Sequence, residues 1–184
     1  MRVGVSGAHG TGKTTLVEEL CGRLTDHVPI DEPYVLLEEE GYEFEYPPSI
    51  DDYRAQLRRS LLELGSPATS VVFDRTPLDF LAYLAVHGLA IETEVDIAAL
   101  RAALERLDLL VIVPITAESD ARLPDADLPR LRRGVNDALL DLVYGDPLWV
   151  CEGVPVIELI GRLDERPEAV LAALPRQRAG YRYR

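Results

Sequence analysis

Lysine is nearly absent from this sequence. Of its 19 basic side chains, Lys13 alone is a lysine and the rest are arginines. Cysteine is scarce. Cys21 and Cys151 are too far apart for a Cys-x-x-Cys metal site and too few for a disulfide framework, so both read as small buried hydrophobes. The histidines His9, His27 and His87 are scattered and do not match zinc-ligand spacing. No apolar run approaches the ~20 residues that cross a bilayer. The first residues, MRVGVSG, run straight into a strand pattern rather than a leader, so the expected location is the cytoplasm. Positive charge is in deficit too. With 32 acidic residues the net charge is −13, which argues against non-specific nucleic-acid binding and against an anionic membrane partner.

The 184 residues suit a single domain, taken as 1–175, followed by a basic tail at 176–184. The tail carries Arg176, Arg178, Arg182 and Arg184. It reads either as a mobile end or as a segment docked on the acidic body or over a bound nucleotide. Apolar strand patterns at Arg2–Ser6, Val28–Ile30, Ser70–Phe73, Leu109–Val113 and Val154–Ile160 alternate with helical ones. The helices are expected at Lys13–Leu24, Ile50–Leu64, Pro77–His87, Glu92–Leu107, Pro129–Tyr144 and Arg166–Leu174. Ser49 and Thr76 read as N-caps, with Pro77 at the first helical position. Residues 34–49 and 117–129 read as irregular. This alternation predicts an α/β three-layer fold on a five-stranded parallel sheet, with ligands at the carboxyl ends of the strands.

One motif carries most of the chemical information. Gly7, Gly12, Lys13 and Thr14, within Gly7-Ala8-His9-Gly10-Thr11-Gly12-Lys13-Thr14-Thr15, satisfy G-x-x-x-x-G-K-[ST] between a strand and a helix. Glycines at 7, 10 and 12 let the backbone turn its N–H groups inward. The helix N-terminus adds partial positive charge, and the Thr14 hydroxyl suits Mg²⁺. A compact ammonium on a thin stem reaches between β- and γ-phosphates, where a planar guanidinium does not fit. The lone lysine thus stands where arginine cannot substitute.

The loop with Gly10 resembles that of nucleoside and nucleotide kinases. A GTPase is less similar: no Asn-Lys-x-Asp motif exists around the single asparagine, Asn136. The stretch Phe73-Asp74-Arg75-Thr76-Pro77-Leu78-Asp79, continuing through Leu81-Ala82-Tyr83, resembles the D-R-S-x-x-D segment of small AAA-like kinases close to the ribosylnicotinamide kinase domain. Glu32-Pro33 is similar to the Glu-Pro that follows the second strand in deoxynucleoside kinases. The resemblance implies a P-loop NTPase fold with a small lid at about 117–133, and an ATP- and Mg²⁺-dependent phosphotransferase. The implied acceptor is nucleoside-like, ribosylnicotinamide-like or an amino sugar. The alternatives are an ATP-binding or hydrolysing regulatory module and a nucleoside monophosphate kinase. No nucleic-acid or membrane partner is expected. The oligomeric state stays open, a homodimer being one option.

Residue roles follow from both sources. Asp74 ends a buried strand beside the loop and either holds Mg²⁺ with Thr14 or joins a helix-cap network. Arg75 binds phosphate or orients the acceptor, or pairs with Asp79. Glu32, held extended by the following proline, accepts a proton from the acceptor or is an exposed turn residue, with Asp31 as its substitute. Arg122, Arg130, Arg132 and Arg133 are lid candidates, Arg132 first because Val135, Leu139 and Leu142 anchor its helix; a solvated basic turn is the other reading. By analogy, Gly161-Arg162 lies beside the donor base. Glu38–Tyr46 packs five carboxylates and three aromatics into nine residues. With Tyr53 and Gln56 it forms an acceptor wall that disfavours phosphorylated acceptors, or it is a solvated loop.

Overall fold

Three strands are buried throughout: β1 (Arg2–Ser6), β3 (Val71–Asp74) and β4 (Leu109–Ile112). β2 (Val28–Ile30) and β5 (Val156–Glu158) are half-exposed edges. The computed structural model describes residues 1–122 and 128–174, with the backbone alone for Arg122. The basic tail and residues 123–127 of the lid segment lie outside the described residues. The strands form one parallel sheet in the order β2-β3-β1-β4-β5, a P-loop kinase fold.

Side chains alternate between the two faces of the sheet. Val3, Val5, Val72, Leu109 and Val111 pack with Leu16, Val17 and Leu20 of α1 (Lys13–Arg23) and Val170 of α8 (Arg166–Ala173). Phe73, Leu110 and Ile112 face the larger core. That core is built by α3 (Ile50–Gly65), α4 (Pro77–Val86), α5 (Ile97–Leu104) and α7 (Pro129–Leu140). Register sets the functional edge. Val5 lies beside Asp74, Ser6 beside Ile112 and Ile30 beside Phe73. The loops after β1, β3 and β2 therefore open side by side.

Four segments differ from the expectation. Residues 34–49 contain a helix, α2 (Pro33–Glu39). Pro33 occupies its first turn, where a missing N–H costs nothing. The single helix expected over Glu92–Leu107 is a 3₁₀ turn at Ile91–Thr93 followed by α5, because Asp96 caps the N–H groups of Ala98 and Ala99. Within 117–129 a helix, α6 (Ala117–Arg122), forms after a reciprocal pair: Thr116 N–H donates to Ser119 Oγ at 2.9 Å and Ser119 N–H to Thr116 Oγ1 at 3.2 Å. The helix from Pro129 keeps α geometry to Leu140 and then widens into a π turn at Asp141–Gly145. Among the described residues no helix is long and apolar enough to cross a membrane.

The N-cap of α3 reaches beyond its own helix. Ser49 and Asp52 form a reciprocal capping box. Asp52 also accepts from Glu45 N–H at 3.2 Å and Tyr42 Oη at 3.1 Å. Burial pushes its pKa up, but the bonds from Ser49, Glu45 and Tyr42 outweigh this and hold it below the usual value. We expect Ser49→Ala to lower unfolding free energy by about 1 kcal/mol in urea titrations. Asp52→Ala, which also releases residues 42–45, should cost more.

Candidate active site

β1 ends in the phosphate loop, and Gly7 is where that loop must pass closest to the sheet. A Cβ there would lie 2.3 Å from the Val113 carbonyl oxygen. Gly12, at φ 88°, takes the left-handed turn into α1. Lys13 is 4% exposed, and its Nζ donates to Ala8 O at 2.9 Å. Thr11 Oγ1 donates to the same carbonyl at 3.0 Å.

Two more loop carbonyls are held from outside. Arg132 of α7 donates from Nε to His9 O at 2.9 Å and pairs through Nη1 with Asp120 of α6. Its Nη2 is buried without a hydrogen-bond partner among the described residues. Arg166 of α8, buried beneath the loop, donates to Thr11 O at 2.7 Å. Sequence reasoning did not single out Arg166. Its one local signal is an arginine ahead of Pro167 at the start of a helix, and nothing nearby in the chain points to the loop.

The loop after β3 supplies the acidic half. Thr14 Oγ1 donates to Asp74 Oδ2 at 2.6 Å, while Asp74 Oδ1 is buried with no hydrogen-bond partner among the described residues. Burial raises the Asp74 pKa, and the Thr14 bond and the charges of Lys13 and Arg75 only partly offset this. One hydroxyl and one carboxylate oxygen lacking a partner suit Mg²⁺, which takes one or two protein ligands and completes its shell with phosphates and water. Among the described residues no cluster of three or more His, Cys, Asp or Glu could hold a metal by itself.

Asp79 is fully buried and forms the helix-cap network. It accepts from Gly7 N–H and Thr76 N–H, each at 2.9 Å, and so ties the phosphate loop to α4. Arg75 is a non-glycine residue at φ 77°, a strained conformation fixed by its surroundings. Its Nε pairs with Glu32 Oε2 at 2.9 Å, and its Nη1 lies 3.5 Å from Asp79. Glu32 is thus a paired residue facing the site. Burial raises its pKa, but Arg75 and Lys13 overcome this and hold it below the usual range.

Glu32 and Arg75 line a cavity of about 210 Å³ whose walls include Tyr34, Tyr46, Tyr53 and Tyr83, with Gln56 adding an amide. Of the acidic stretch Glu38–Tyr46, Tyr46 alone reaches this wall. Glu40 pairs with Arg59, and Glu38 accepts from Tyr34 Oη at 3.4 Å. The expected wall of carboxylates is therefore a wall of aromatic rings, because the acidic side chains keep their hydration or meet arginine outside. Arg130 and Arg133 are exposed, so Arg132 is the arginine of this helix that meets the loop. A second cavity, about 240 Å³, lies across the loop between Gly12, Thr15, Leu16, Leu163 and Pro167. Gly161 and Arg162 line the smaller cavity beside it, where Arg162 pairs with Asp164 at 3.0 Å.

A family model described as an AAA domain matches residues 2–166. A search of curated protein sequences finds no match. Among solved structures, the chain is similar to deoxyadenosine kinase from M. mycoides with bound dATP. The TM-score is 0.62 at 15% identity, covering 94% of this chain and 97% of that one. The same kinase with products dCMP and a flexible dCDP bound gives 0.63 at 14% identity and the same coverage. NadR in complex with NR gives 0.65 at 22% identity, covering 94% of this chain and 49% of NadR.

Burial, then the neighbouring charge of Arg75, lowers the Lys13 pKa to about 8 against the opposing pull of Asp79, Asp74 and Glu32. Bound phosphates restore that charge, so binding takes up a proton wherever the unliganded lysine has lost one. Nucleotide affinity should be full below about pH 8 and fall by up to about tenfold per pH unit above it, and Lys13→Met should flatten the profile. Binding titrations across this range check the sign. Arg166→Ala should weaken nucleotide binding by roughly tenfold, since a charge-assisted bond that fixes the loop is lost. Arg166→Lys should recover part of it, and binding titrations decide the point.

Proposed function

We propose that this chain, which belongs to the AAA domain family, is an ATP- and Mg²⁺-dependent phosphotransferase acting on a hydroxyl of a small, flat-ringed acceptor. The observation that carries this reading is one juxtaposition. The β2-β3-β1 order sets Glu32, Asp74–Arg75 and Lys13–Thr14 side by side, with Glu32 and Arg75 of that group lining the aromatic cavity. A module that only binds nucleotide has no need of a carboxylate–guanidinium pair facing a second cavity.

In this reading the loop N–H groups and Lys13 hold the donor phosphates. Thr14 and Asp74 would hold Mg²⁺, which when bound would neutralise charge on the donor phosphates. Glu32, kept ionised by Arg75, accepts the proton of the acceptor hydroxyl as the γ-phosphoryl group moves, and Arg75 fixes the carboxylate's orientation. Arg132, whose Nη2 has no hydrogen-bond partner among the described residues, is the arginine that would meet developing charge beside His9. The donor base fits the cavity bordered by Leu163 and Pro167. The aromatic walls suit a nucleoside, ribosylnicotinamide or another flat ring by stacking. A monophosphate acceptor is disfavoured because Arg75, the guanidinium in the wall, is already paired with Glu32.

The test is ADP release with deoxyadenosine, deoxycytidine, ribosylnicotinamide and glucosamine as acceptors. At least one should raise release above the water background, and a nucleoside should outperform its own 5′-monophosphate in kcat/KM. Glu32→Gln should then lower kcat by roughly 10²–10⁴-fold with ATP affinity little changed. Release that no acceptor stimulates would leave a slow ATPase or binding module instead.

A further inference from the structure

We propose that His9 is a specificity-determining residue which, with Tyr83, binds the hydroxylated half of the acceptor beside the hydroxyl that reacts. This rests on the phosphotransferase reading above and adds a role to a position that the phosphate-loop motif leaves open. Of residues Gly7–Thr15, His9 is the one whose side chain lines the aromatic cavity. Phosphate binding by such a loop uses backbone N–H groups, the lysine and the Thr14 hydroxyl. The imidazole of His9 is surplus to that task and points elsewhere.

Its position dictates what it can meet. The phosphate loop carries the γ-phosphoryl group, so the part of an acceptor that touches a loop side chain is the end presented for phosphorylation. For a nucleoside-like acceptor that end is the sugar. The contact is also rigidly prepared. His9 O is held by Arg132 Nε at 2.9 Å, which fixes the backbone that carries the ring. His9 Nδ1 lies 3.3 Å from Tyr83 Oη, at the long end of hydrogen-bonding range, where a ligand hydroxyl can share both partners. Tyr83 is immobilised in turn. Its ring stacks on Tyr53 with centroids 4.6 Å apart and planes 11° apart, and the Arg75 guanidinium stands 5.9 Å from its centroid. Burial raises the Tyr83 pKa, so its hydroxyl keeps its proton and can donate or accept. Glu32 and Arg75 serve the reacting hydroxyl, which leaves His9 and Tyr83 to read a second one.

The test compares two acceptors that share the reacting hydroxyl, deoxyadenosine and 2′,3′-dideoxyadenosine, in the full chain with saturating ATP and Mg²⁺. The wild type should favour deoxyadenosine by roughly tenfold in kcat/KM, the size of one shared hydrogen bond. His9→Ala should shrink that preference to within about twofold while the KM for ATP holds, and Tyr83→Phe should do the same. His9→Asn keeps a polar atom near the Nδ1 position and should restore part of the preference. Equal losses on both acceptors, or an ATP KM that rises as much as the acceptor KM, would assign His9 to loop packing and overturn the proposal. A wild type that phosphorylates both acceptors without preference overturns it too, while leaving the phosphotransferase reading intact. A wild type whose ADP release responds to none of the acceptors in the wider screen fails at the earlier step, and both readings fall.

Discussion

A loop that turns its N–H groups toward an anion must turn its carbonyls away from it, and every outward carbonyl then needs a donor of its own. That constraint organises this protein. Ala8 O is taken by Lys13 and Thr11, His9 O by Arg132 and Thr11 O by Arg166, with Arg75 Nη1 3.4 Å from Gly7 O. The donors come from α1, α7, α8 and the turn after β3. The loop's shape is therefore imposed from several sides of the fold before any nucleotide arrives. Such preorganisation is what electrostatic binding of phosphate requires, since no reorganisation remains to oppose it.

The same cations explain how a chain of net charge −13 can receive a polyanion. Lys13, Arg75, Arg132 and Arg166 are all buried around the loop. Burying four cations is costly, and the compensation is local: Asp79 and Glu32 stand against Arg75, Asp120 against Arg132, Asp79, Asp74 and Glu32 pull on Lys13, and Arg166 donates to Thr11 O. Arginine serves on the outer side because its fork can hold a carbonyl and a carboxylate together, as Arg132 does. Lysine serves on the inner side. The single lysine thus holds a loop carbonyl from within, at Ala8, while the arginines hold His9 and Thr11 from α7 and α8.

How far this was legible in the sequence depended on distance along the chain. Lys13 and Thr14 follow from spacing within one motif. Asp74, Arg75 and Asp79 follow from a strand end and the helix cap after it, all local patterns. The Glu32–Arg75 pair needs β2 to lie beside β3, a tertiary fact the residues do not encode locally. Arg132 meets His9 across 123 residues, and Arg166 meets Thr11 across 155. For Arg132 a packed helix hinted at the direction but not at the carbonyl it holds. For Arg166 no local pattern exists to read. The helix at Pro33 was masked for a different reason: proline signals both a turn and a helix start, and acidic neighbours tip the reading toward loop.

The acidic stretch after α2 shows why composition alone misplaces a binding wall. Carboxylates and aromatics alternate closely there, and both suggest a cationic acceptor if they face inward. Only the aromatics can turn inward cheaply, because a buried carboxylate without a cation loses far more hydration than a ring does. Tyr34 and Phe44 stack at 4.3 Å, and Tyr42 packs against Phe44 while donating to Asp52. This small aromatic cluster, pinned to the cap of α3, carries Tyr34 and Tyr46 to the cavity while Glu40 turns out to Arg59. Among the described residues the one carboxylate lining the cavity is Glu32, and Arg75 is there to hold it. Among the described residues the rest of this wall is mostly aromatic, and the Glu32–Arg75 ion pair stands at the end where the cavity meets the phosphate loop.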